Sequence, residues 1–155
     1  MGAKLSVQQA LVRAQKYCAY QERCHQEVKS KLYDWGLYSE DVDNIIVTLI
    51  QEDFLNEERF AASFVRGKFR IKKWGRIKIL AELGKRNITE YCKKKGLEEI
   101  EEEDYLSTLK DVLRRRASQE KEQVPYVRNQ KLAAYLYTRG FESDLVWKIL
   151  DEEKD

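Results

Sequence analysis

Apolar residues in this chain recur every three to four positions, and between residues 59 and 78 they are spaced like the buried face of a helix. Residues that break helices are scarce, since the 155 residues include one proline and seven glycines. Leu, Lys, Glu and Arg, which favour helices, are abundant. The pattern therefore predicts an all-α protein.

A pattern that predicts a helix, a tight turn and a second helix occurs three times, in residues 28–42, 79–92 and 132–146. Each copy contains a leucine that we expect to be buried, at Leu32, Leu83 and Leu136. Four positions later comes a residue that accepts the left-handed conformation ending a helix, at Gly36, Asn87 and Gly140. We expect the next helix of each copy to be capped by Ser39, Thr89 and Ser143.

The three leucines are 51 and 53 residues apart, which leaves room for one additional helix in each copy. The repeat therefore predicts three tandem three-helix units that form an elongated, curved helical-repeat array. We place these units at residues 6–53, 54–101 and 102–155.

Three helix starts can be predicted from local residue types. Ser6, with Gln9 three positions later, predicts a capping box at the first helix. Asn56 has a side chain that can cap the fourth helix. Pro125 is expected in the first turn of the eighth helix, where its missing N–H has no cost.

Positive charge is concentrated in residues 59–78, here called the basic stretch, although the whole chain has a formal charge of only +2. The basic stretch contains eight Lys or Arg residues and no Asp or Glu. Charge of one sign fits an anionic partner such as nucleic acid. It also fits a solvated helix face that acids elsewhere in the fold neutralise, and the pattern leaves both interpretations open.

In the predicted fourth helix, Arg59, Arg66 and Arg70 fall on one stripe. The core face is expected on the opposite side, at Phe60, Ala61, Phe64 and Ile71. Repulsion among the guanidinium groups destabilises the helix unless acids or an external anion compensate. Gly67 and Gly75 are expected to permit a turn or a close approach of helices.

The fifth helix is expected to begin near Trp74 or Gly75. Four cations would then lie around its first turns, namely Lys72, Lys73, Arg76 and Lys78. Free N–H groups and the positive end of the helix dipole would reinforce anion binding there. We expect Trp74 to be buried between helices, with stacking on a base as the alternative.

Residues that could support catalysis or hold a metal are not arranged for either role. His25 has no convincing catalytic companion, and no metal-ligand spacing is present. Cys18, Cys24 and Cys92 show no close pairing, which favours reduced thiols in a cytoplasmic protein. No apolar run approaches the length of a membrane span. We therefore predict a protein that is not an enzyme, needs no cofactor or metal and does not bind a membrane.

Residues 54–88, FLNEERFAASFVRGKFRIKKWGRIKILAELGKRNI, resemble the central signature of the RecX regulatory proteins. That signature begins with an apolar residue, Asn or Asp, an acid, one variable residue and Arg-Phe-Ala. It continues into a basic helix, a Gly, a Leu and a helix-ending turn. Residues 24–60 resemble the first unit of the family, and residues 129–150 resemble its C-terminal segment. The chain departs from the family at Asn87, where Gly is usual.

The resemblance implies three tandem three-helix units and a modulator of the RecA recombinase, with roles in recombination, DNA repair and the SOS response. RecX proteins bind in the helical groove of the RecA–DNA filament and usually inhibit strand exchange and ATP hydrolysis. They have no catalytic residues of their own. Basic residues of the family contact the filament, and this role carries over to Arg59, Arg66, Arg70, Lys72, Lys73, Arg76 and Lys78.

Arg114, Arg115 and Arg116 form a second basic cluster and are further candidates for partner contact. We expect a cytoplasmic monomer whose basic face meets the RecA filament and single- or double-stranded DNA. One alternative is a helical protein that binds nucleic acid without RecA. A third possibility is an adaptor whose basic stretch meets an acidic protein surface.

Overall fold

The computed structural model describes residues 5–153, which form nine α-helices and contain no strand. The all-α prediction is therefore confirmed for this part of the chain. The helices are α1 (Val7–Tyr20), α2 (His25–Asp34), α3 (Ser39–Gln51), α4 (Glu57–Arg70), α5 (Arg76–Lys85), α6 (Glu90–Leu97), α7 (Glu102–Ala117), α8 (Pro125–Thr138) and α9 (Ser143–Glu152). None of these helices is both long and apolar enough to cross a bilayer.

The chain divides into two compact units. The first contains the described residues up to Ser63 together with Gly84–Gly96, and the second contains Phe64–Leu83 together with the described residues from Leu97 onward. The division passes through α4 and through α5, so these helices contribute residues to both units. The boundaries predicted for three tandem units stay a prediction.

In the first unit, α1, α2 and α3 pack against one another around one apolar core. Ala10 and Ala14 present small, fully buried side chains from α1. Val28 and Leu32 of α2 and Leu49 of α3 are also fully buried. Each aliphatic side chain of this size contributes about 1.5 to 3 kcal/mol when it leaves water.

In the second unit, α7 packs on α8 and α8 packs on α9. Three aromatic rings form the centre of its core. The Tyr105 ring lies 5.9 Å from the Phe69 ring and 5.5 Å from the Phe141 ring, measured between centroids. Aromatic pairs in this distance range add to the stabilisation that burial provides. The C-terminal end of α4, α7 and the α8–α9 turn therefore share one core.

The three predicted turns form as expected. The anchor residues Leu32, Leu83 and Leu136 are all fully buried. The residues predicted to end the helices have positive φ angles, at Gly36 (88°), Asn87 (59°) and Gly140 (93°). In the first and third copies, the N–H of the following apolar residue donates to the anchor carbonyl, from Leu37 to Leu32 and from Phe141 to Leu136, both at 3.2 Å. This pairing is the Schellman motif that satisfies the last carbonyls of a helix.

The locally predicted helix starts are confirmed. Ser6 Oγ accepts the Gln9 N–H at 3.1 Å, and Gln9 Oε1 accepts the Ser6 N–H at 3.0 Å. Asn56 Oδ1 accepts the Arg59 N–H at 2.9 Å at the start of α4. Pro125 opens α8. These contacts satisfy N–H groups that a helix cannot pair internally.

Two of the three caps predicted by the repeat are wrong. Thr89 does cap α6, since its Oγ1 accepts the Cys92 N–H at 3.2 Å. Ser39 and Ser143 are instead the first helical residues of α3 and α9, and Tyr38 and Glu142 occupy the N-cap positions without a side-chain cap bond. The N-cap lies two residues after the turn residue in all three copies. Ser39 and Ser143 lie one residue too far along the chain.

The predicted core face of α4 is partly wrong. Phe60 and Ala61 are buried as predicted, and Phe64 is half-buried. Ile71 is 77% exposed because α4 ends at Arg70, and Phe69 occupies the core position instead. Gly67 faces open space, so no neighbouring helix approaches it closely.

Gly75 does permit a close approach. A Cβ atom at position 75 would lie 2.3 Å from the carbonyl carbon and oxygen of Gly140. Both atoms belong to the backbone, so no side-chain rotation can relieve the overlap. Glycine at position 75 is therefore required for the α4–α5 turn to meet the α8–α9 turn.

We predict that Gly75→Ala lowers the free energy of unfolding by about 1 to 3 kcal/mol, because the added methyl group overlaps packed backbone. Gly67→Ala is the matched control. It should raise the free energy of unfolding by about 0.5 to 1 kcal/mol, because alanine favours a helix interior and the site has room. Urea unfolding followed by circular dichroism measures both values. A neutral Gly75→Ala substitution would contradict the close approach.

The three thiols should differ in reactivity. Cys18 is 7% exposed and Cys24 is fully buried, and burial raises the pKa of both thiols to about 11. Both therefore remain protonated and weakly nucleophilic at neutral pH. Cys92 is half-buried. We predict that N-ethylmaleimide modifies Cys92 first in the native protein, as measured by mass spectrometry of peptides. Modification of Cys24 at the same rate as Cys92 would contradict the burial of Cys24.

Candidate binding surface

The predicted binding residues do not all belong to one compact unit. Arg59 lies in the first unit, on the N-terminal half of α4. The other six predicted binding residues of the basic stretch lie in the second unit, as does the second basic cluster Arg114–Arg116 in the last turn of α7. The six come from the end of α4, the α4–α5 turn and the first turn of α5. Within the second unit, two separate basic segments of the sequence therefore form part of one compact body.

Arg59 is held by acids of its own unit. Its Nε donates to Glu22 Oε2 at 2.6 Å, and its Nη1 donates to Asp53 Oδ1 at 3.1 Å. The hydrogen bond to Glu22 raises the pKa of Arg59 above its ordinary value. Internal carboxylates therefore provide the charge compensation that the sequence pattern required at this position.

Arg66 has one carboxylate partner. Its Nη1 donates to Glu99 Oε1 at 2.7 Å, and both side chains are more than a third exposed. Exposed ion pairs of this kind contribute about 0 to 1 kcal/mol to stability. Arg66 can therefore exchange Glu99 for an external anion at small cost.

Arg76 is more enclosed than Arg59 and Arg66. Its guanidinium donates to Glu142 Oε2 at 2.8 Å and forms an ion pair with Glu102, and its Cζ lies 3.7 Å from the Tyr105 ring centre. Burial lowers the pKa of Arg76, but the hydrogen bonds to Glu142 and Glu102 outweigh this effect and raise it overall. Arg76 therefore links α5 to the starts of α7 and α9.

The Tyr105 hydroxyl completes this network. It accepts the backbone N–H of Arg76 at 2.9 Å and donates to Glu142. Burial raises the pKa of the Tyr105 phenol, and the hydrogen bond to Glu142 raises it further. The hydroxyl therefore stays protonated at neutral pH and remains a donor to the carboxylate. Arg76, Tyr105 and Glu142 together form one hydrogen-bonded cluster at the edge of the core of the second unit.

The backbone N–H groups at the start of α5 are not free, so the prediction that they reinforce anion binding is wrong. The Gly75 N–H donates to the Arg139 carbonyl at 2.7 Å, and the Ile77 N–H donates to the Gly140 carbonyl at 3.0 Å. Carbonyl groups at the C-terminal end of α8 thus accept hydrogen bonds from the N–H groups at the start of α5. The sequence could not show this pairing, because the two turns are far apart along the chain.

Three predicted residues do face solvent. Arg70, Lys72 and Lys73 are exposed, and none of them forms an ion pair with another residue of the described range 5–153. Lys73 has a φ angle of 58° and lies in the α4–α5 turn. These three cations are therefore available to an external anion without loss of an internal contact.

Trp74 lies beside two cations. It is half-buried, and the Nζ atoms of Lys68 and Lys78 lie 5.0 Å and 4.6 Å from its ring centre. Each contact of this type contributes about 0.5 to 1 kcal/mol at a solvent-facing site. The ring therefore holds Lys78 near the basic surface, and its expected burial between helices is only partial.

A cleft of about 380 Å³ in the second unit brings Lys73 together with the second basic cluster. We call it the basic cleft and define it by its five cations, Lys73, Arg114, Arg115, Arg116 and Arg139. Arg139 was not among the predicted binding residues. Its position directly before Gly140, at the end of α8, is the signal that could have suggested it, because cations at helix C-termini often contact terminal carbonyls.

Groups of three or more His, Cys, Asp or Glu residues suited to a metal do not occur within residues 5–153. His25, the single histidine, is the first residue of α2. Its Nδ1 atom lies 3.4 Å from Glu57 Oε1.

The fold and this surface define an all-helical repeat protein with a basic face in its second unit. Two family models match the chain: the second three-helix domain of RecX over residues 56–97, and the third three-helix domain of RecX over residues 102–150. Together they span more than half of the 155 residues. The chain belongs to the RecX family.

Relatives over nearly the full length are regulatory proteins. Regulatory protein RecX of Prosthecochloris aestuarii is 28% identical over 145 residues, which cover 92% of each chain. The Thermotoga maritima protein of the same name is 28% identical over 152 residues, covering 96% of this chain and 86% of the relative. The Bacillus cytotoxicus protein is 24% identical over 149 residues, and this chain spans only 55% of its length.

Two crystal structures have the same fold. RecX from Lactobacillus salivarius matches with a TM-score of 0.84 at 23% identity, covering 94% of this chain and 95% of that chain. The crystal structure of a second regulatory protein RecX matches with a TM-score of 0.86 at 24% identity. The match covers 95% of this chain and 72% of that chain. The all-α helical-repeat class predicted from the sequence is therefore confirmed.

We predict that Arg76→Gln lowers the free energy of unfolding by about 1 to 3 kcal/mol, because Glu142 loses a charged donor inside the unit. Lys73→Gln is the matched control on the same turn and should change the value by less than about 0.5 kcal/mol. Urea unfolding at neutral pH measures both. Equal effects of the two substitutions would contradict the separation of a structural cation from a solvent-facing one.

Proposed function

We propose that this protein binds the RecA–DNA filament in the cytoplasm and modulates RecA, chiefly by inhibiting its recombinase and ATPase activities. It acts as a monomer, without catalysis of its own, and engages DNA or RecA through the basic face. Membership of the RecX family is the observation that carries this proposal. The regulatory relatives that match over nearly the whole chain support it.

The proposed contact residues are the cations of the basic stretch that have no internal partner or only an exposed one. Arg70, Lys72 and Lys73 are exposed and lie close together in sequence at the end of α4 and in the following turn. Arg66 and Lys78 join them with weaker internal contacts, to Glu99 and to the Trp74 ring. Arg59 and Arg76 mainly hold the fold, because carboxylates already satisfy them.

Binding through exposed cations can regulate an enzyme without any reaction. Lys and Arg that neutralise phosphates release counterions, which favours association at low salt. A bound protein changes RecA activity only if it has different affinities for the filament states of the ATPase cycle. We propose that this protein prefers a filament state in which ATP hydrolysis is slow.

The alternative is that the protein binds nucleic acid in a manner that does not depend on RecA. The cations gathered in the basic cleft favour this alternative, because they could contact phosphates directly. Titration of labelled single-stranded DNA with and without RecA separates the two proposals. Strong binding that RecA does not change would support the alternative.

We predict that the protein suppresses the DNA-dependent ATPase of purified RecA, and that Arg70→Gln/Lys72→Gln/Lys73→Gln weakens this inhibition roughly tenfold. A tenfold loss corresponds to about 1.4 kcal/mol shared among three exposed contacts. Arg76 is left unchanged in this variant because its replacement would also disturb the fold.

The matched control neutralises three exposed lysines outside the basic stretch and the basic cleft, namely Lys29, Lys121 and Lys148. It has the same net charge as the test variant and should inhibit like the parent protein. Inhibition by the test variant at parental strength would show that the assigned surface is wrong. A parent protein that changes neither ATP hydrolysis nor strand exchange would rule out the proposed function.

A further inference from the structure

We propose that the basic cleft binds the phosphodiester backbone of a single nucleic-acid strand. Its five cations come from three separate segments of the chain: the α4–α5 turn, the end of α7 and the end of α8. One carboxylate, Asp111, is also part of the lining. Such an excess of positive charge in a concave site favours an anionic ligand.

The cations of α7 differ in how far they are compensated. Arg114 donates to Glu153 Oε1 at 2.7 Å, and that guanidinium is 61% exposed. Arg115 is exposed and forms no ion pair with any residue of the described range. Together with Lys73, Arg115 therefore supplies positive charge that the fold leaves for a ligand.

Arg139 supplies a cation whose position is fixed by the backbone. Its guanidinium donates to the carbonyl oxygen of Lys72 and, at 3.4 Å, to that of Lys73. Its Nε is buried and finds no acceptor among the described residues. A planar guanidinium that is already oriented loses little freedom when it donates to phosphate oxygens.

The aromatic lining favours a nucleic-acid strand over a free phosphate. The Arg116 guanidinium lies 4.3 Å from the centre of the Tyr135 ring, and both residues line the cleft. Proteins that bind single strands combine a basic groove for the backbone with aromatic or guanidinium planes on which bases stack. Cations from three segments can also contact successive phosphates, which a single inorganic phosphate does not provide.

This inference rests on the proposed function only in taking nucleic acid as the partner, because the cleft should bind a strand in the absence of RecA. It adds Arg139 to the candidate binding residues and assigns a ligand to Arg139 and Arg115. The test therefore uses the full chain and a short labelled single-stranded oligonucleotide, without RecA, over a range of KCl concentrations. Fluorescence anisotropy gives the dissociation constant at each concentration.

We predict that Lys73→Gln/Arg115→Gln reduces the slope of log K against log salt by about 1.4, which is the loss of two phosphate contacts on a single strand. The matched control, Lys121→Gln/Lys148→Gln, removes the same charge from exposed positions outside the cleft and should retain the parental slope. Circular dichroism confirms that both variants are folded. Equal slopes for the two variants, whether both reduced or both parental, would overturn the proposal.

Two further measurements identify the source of the phosphate and separate this proposal from RecA regulation. Titration with ATP and with tripolyphosphate should give weaker binding than the oligonucleotide, and tighter binding of either would overturn the assignment to a strand. The RecA ATPase assay is then repeated with Lys73→Gln/Arg115→Gln. A reduced salt slope for this variant supports strand binding in the basic cleft, even if the parent protein has no effect on RecA. The RecA ATPase result alone decides the proposed function, so the two failures can be told apart.

Discussion

Two turns of the second unit fit together because Gly75 and Gly140 have no side chains. A Cβ atom at Gly75 would overlap the Gly140 carbonyl, and a Cβ atom at Gly140 would overlap Lys78. Each turn both donates hydrogen bonds to the other turn and accepts hydrogen bonds from it. Carbonyls at the end of α8 accept the first N–H groups of α5, while Arg139 donates to the carbonyl of Lys72 after α4. Backbone groups that a helix end leaves unpaired are costly to bury, so each turn satisfies the other. The position of Arg139, and with it the basic cleft, depends on this contact.

The cations of the basic stretch have two physical roles that their residue types alone do not distinguish. Arg59 and Arg76 lie among carboxylates, and their charge is used within the fold. Arg70 and Lys73 have no ion pair within the described residues, and their charge is directed to solvent. Helical repeat proteins commonly present an extended surface to a partner, and cations on such a surface set the strength and salt dependence of binding. The near-neutral total charge of the chain is therefore a poor guide to its surface.

Local patterns were sufficient to predict the helices, the three turns and the cap at Asn56, because residues within four positions determine them. Local patterns placed the caps of α3 and α9 one residue too late, and they failed more widely where distant residues decide the outcome. The N–H groups that the sequence left free at the start of α5 donate instead to carbonyls of the α8–α9 turn. The carboxylate that neutralises Arg76 belongs to Glu142, 66 positions away. The basic cleft could not be predicted for the same reason, since Lys73 and Arg139 meet only after the second unit has folded.

Lys73 illustrates a conflict between stability and charge. Its φ angle of 58° lies in the left-handed region, where a residue with a Cβ atom is strained by about 1 to 2 kcal/mol and glycine is not. A glycine at this turn would relieve that strain but would place no cation beside Arg139. In the proposed binding mode, selection for the more stable turn and selection for binding therefore oppose each other at this single position. Proteins that retain a strained residue at a functional position accept lower stability in return for activity.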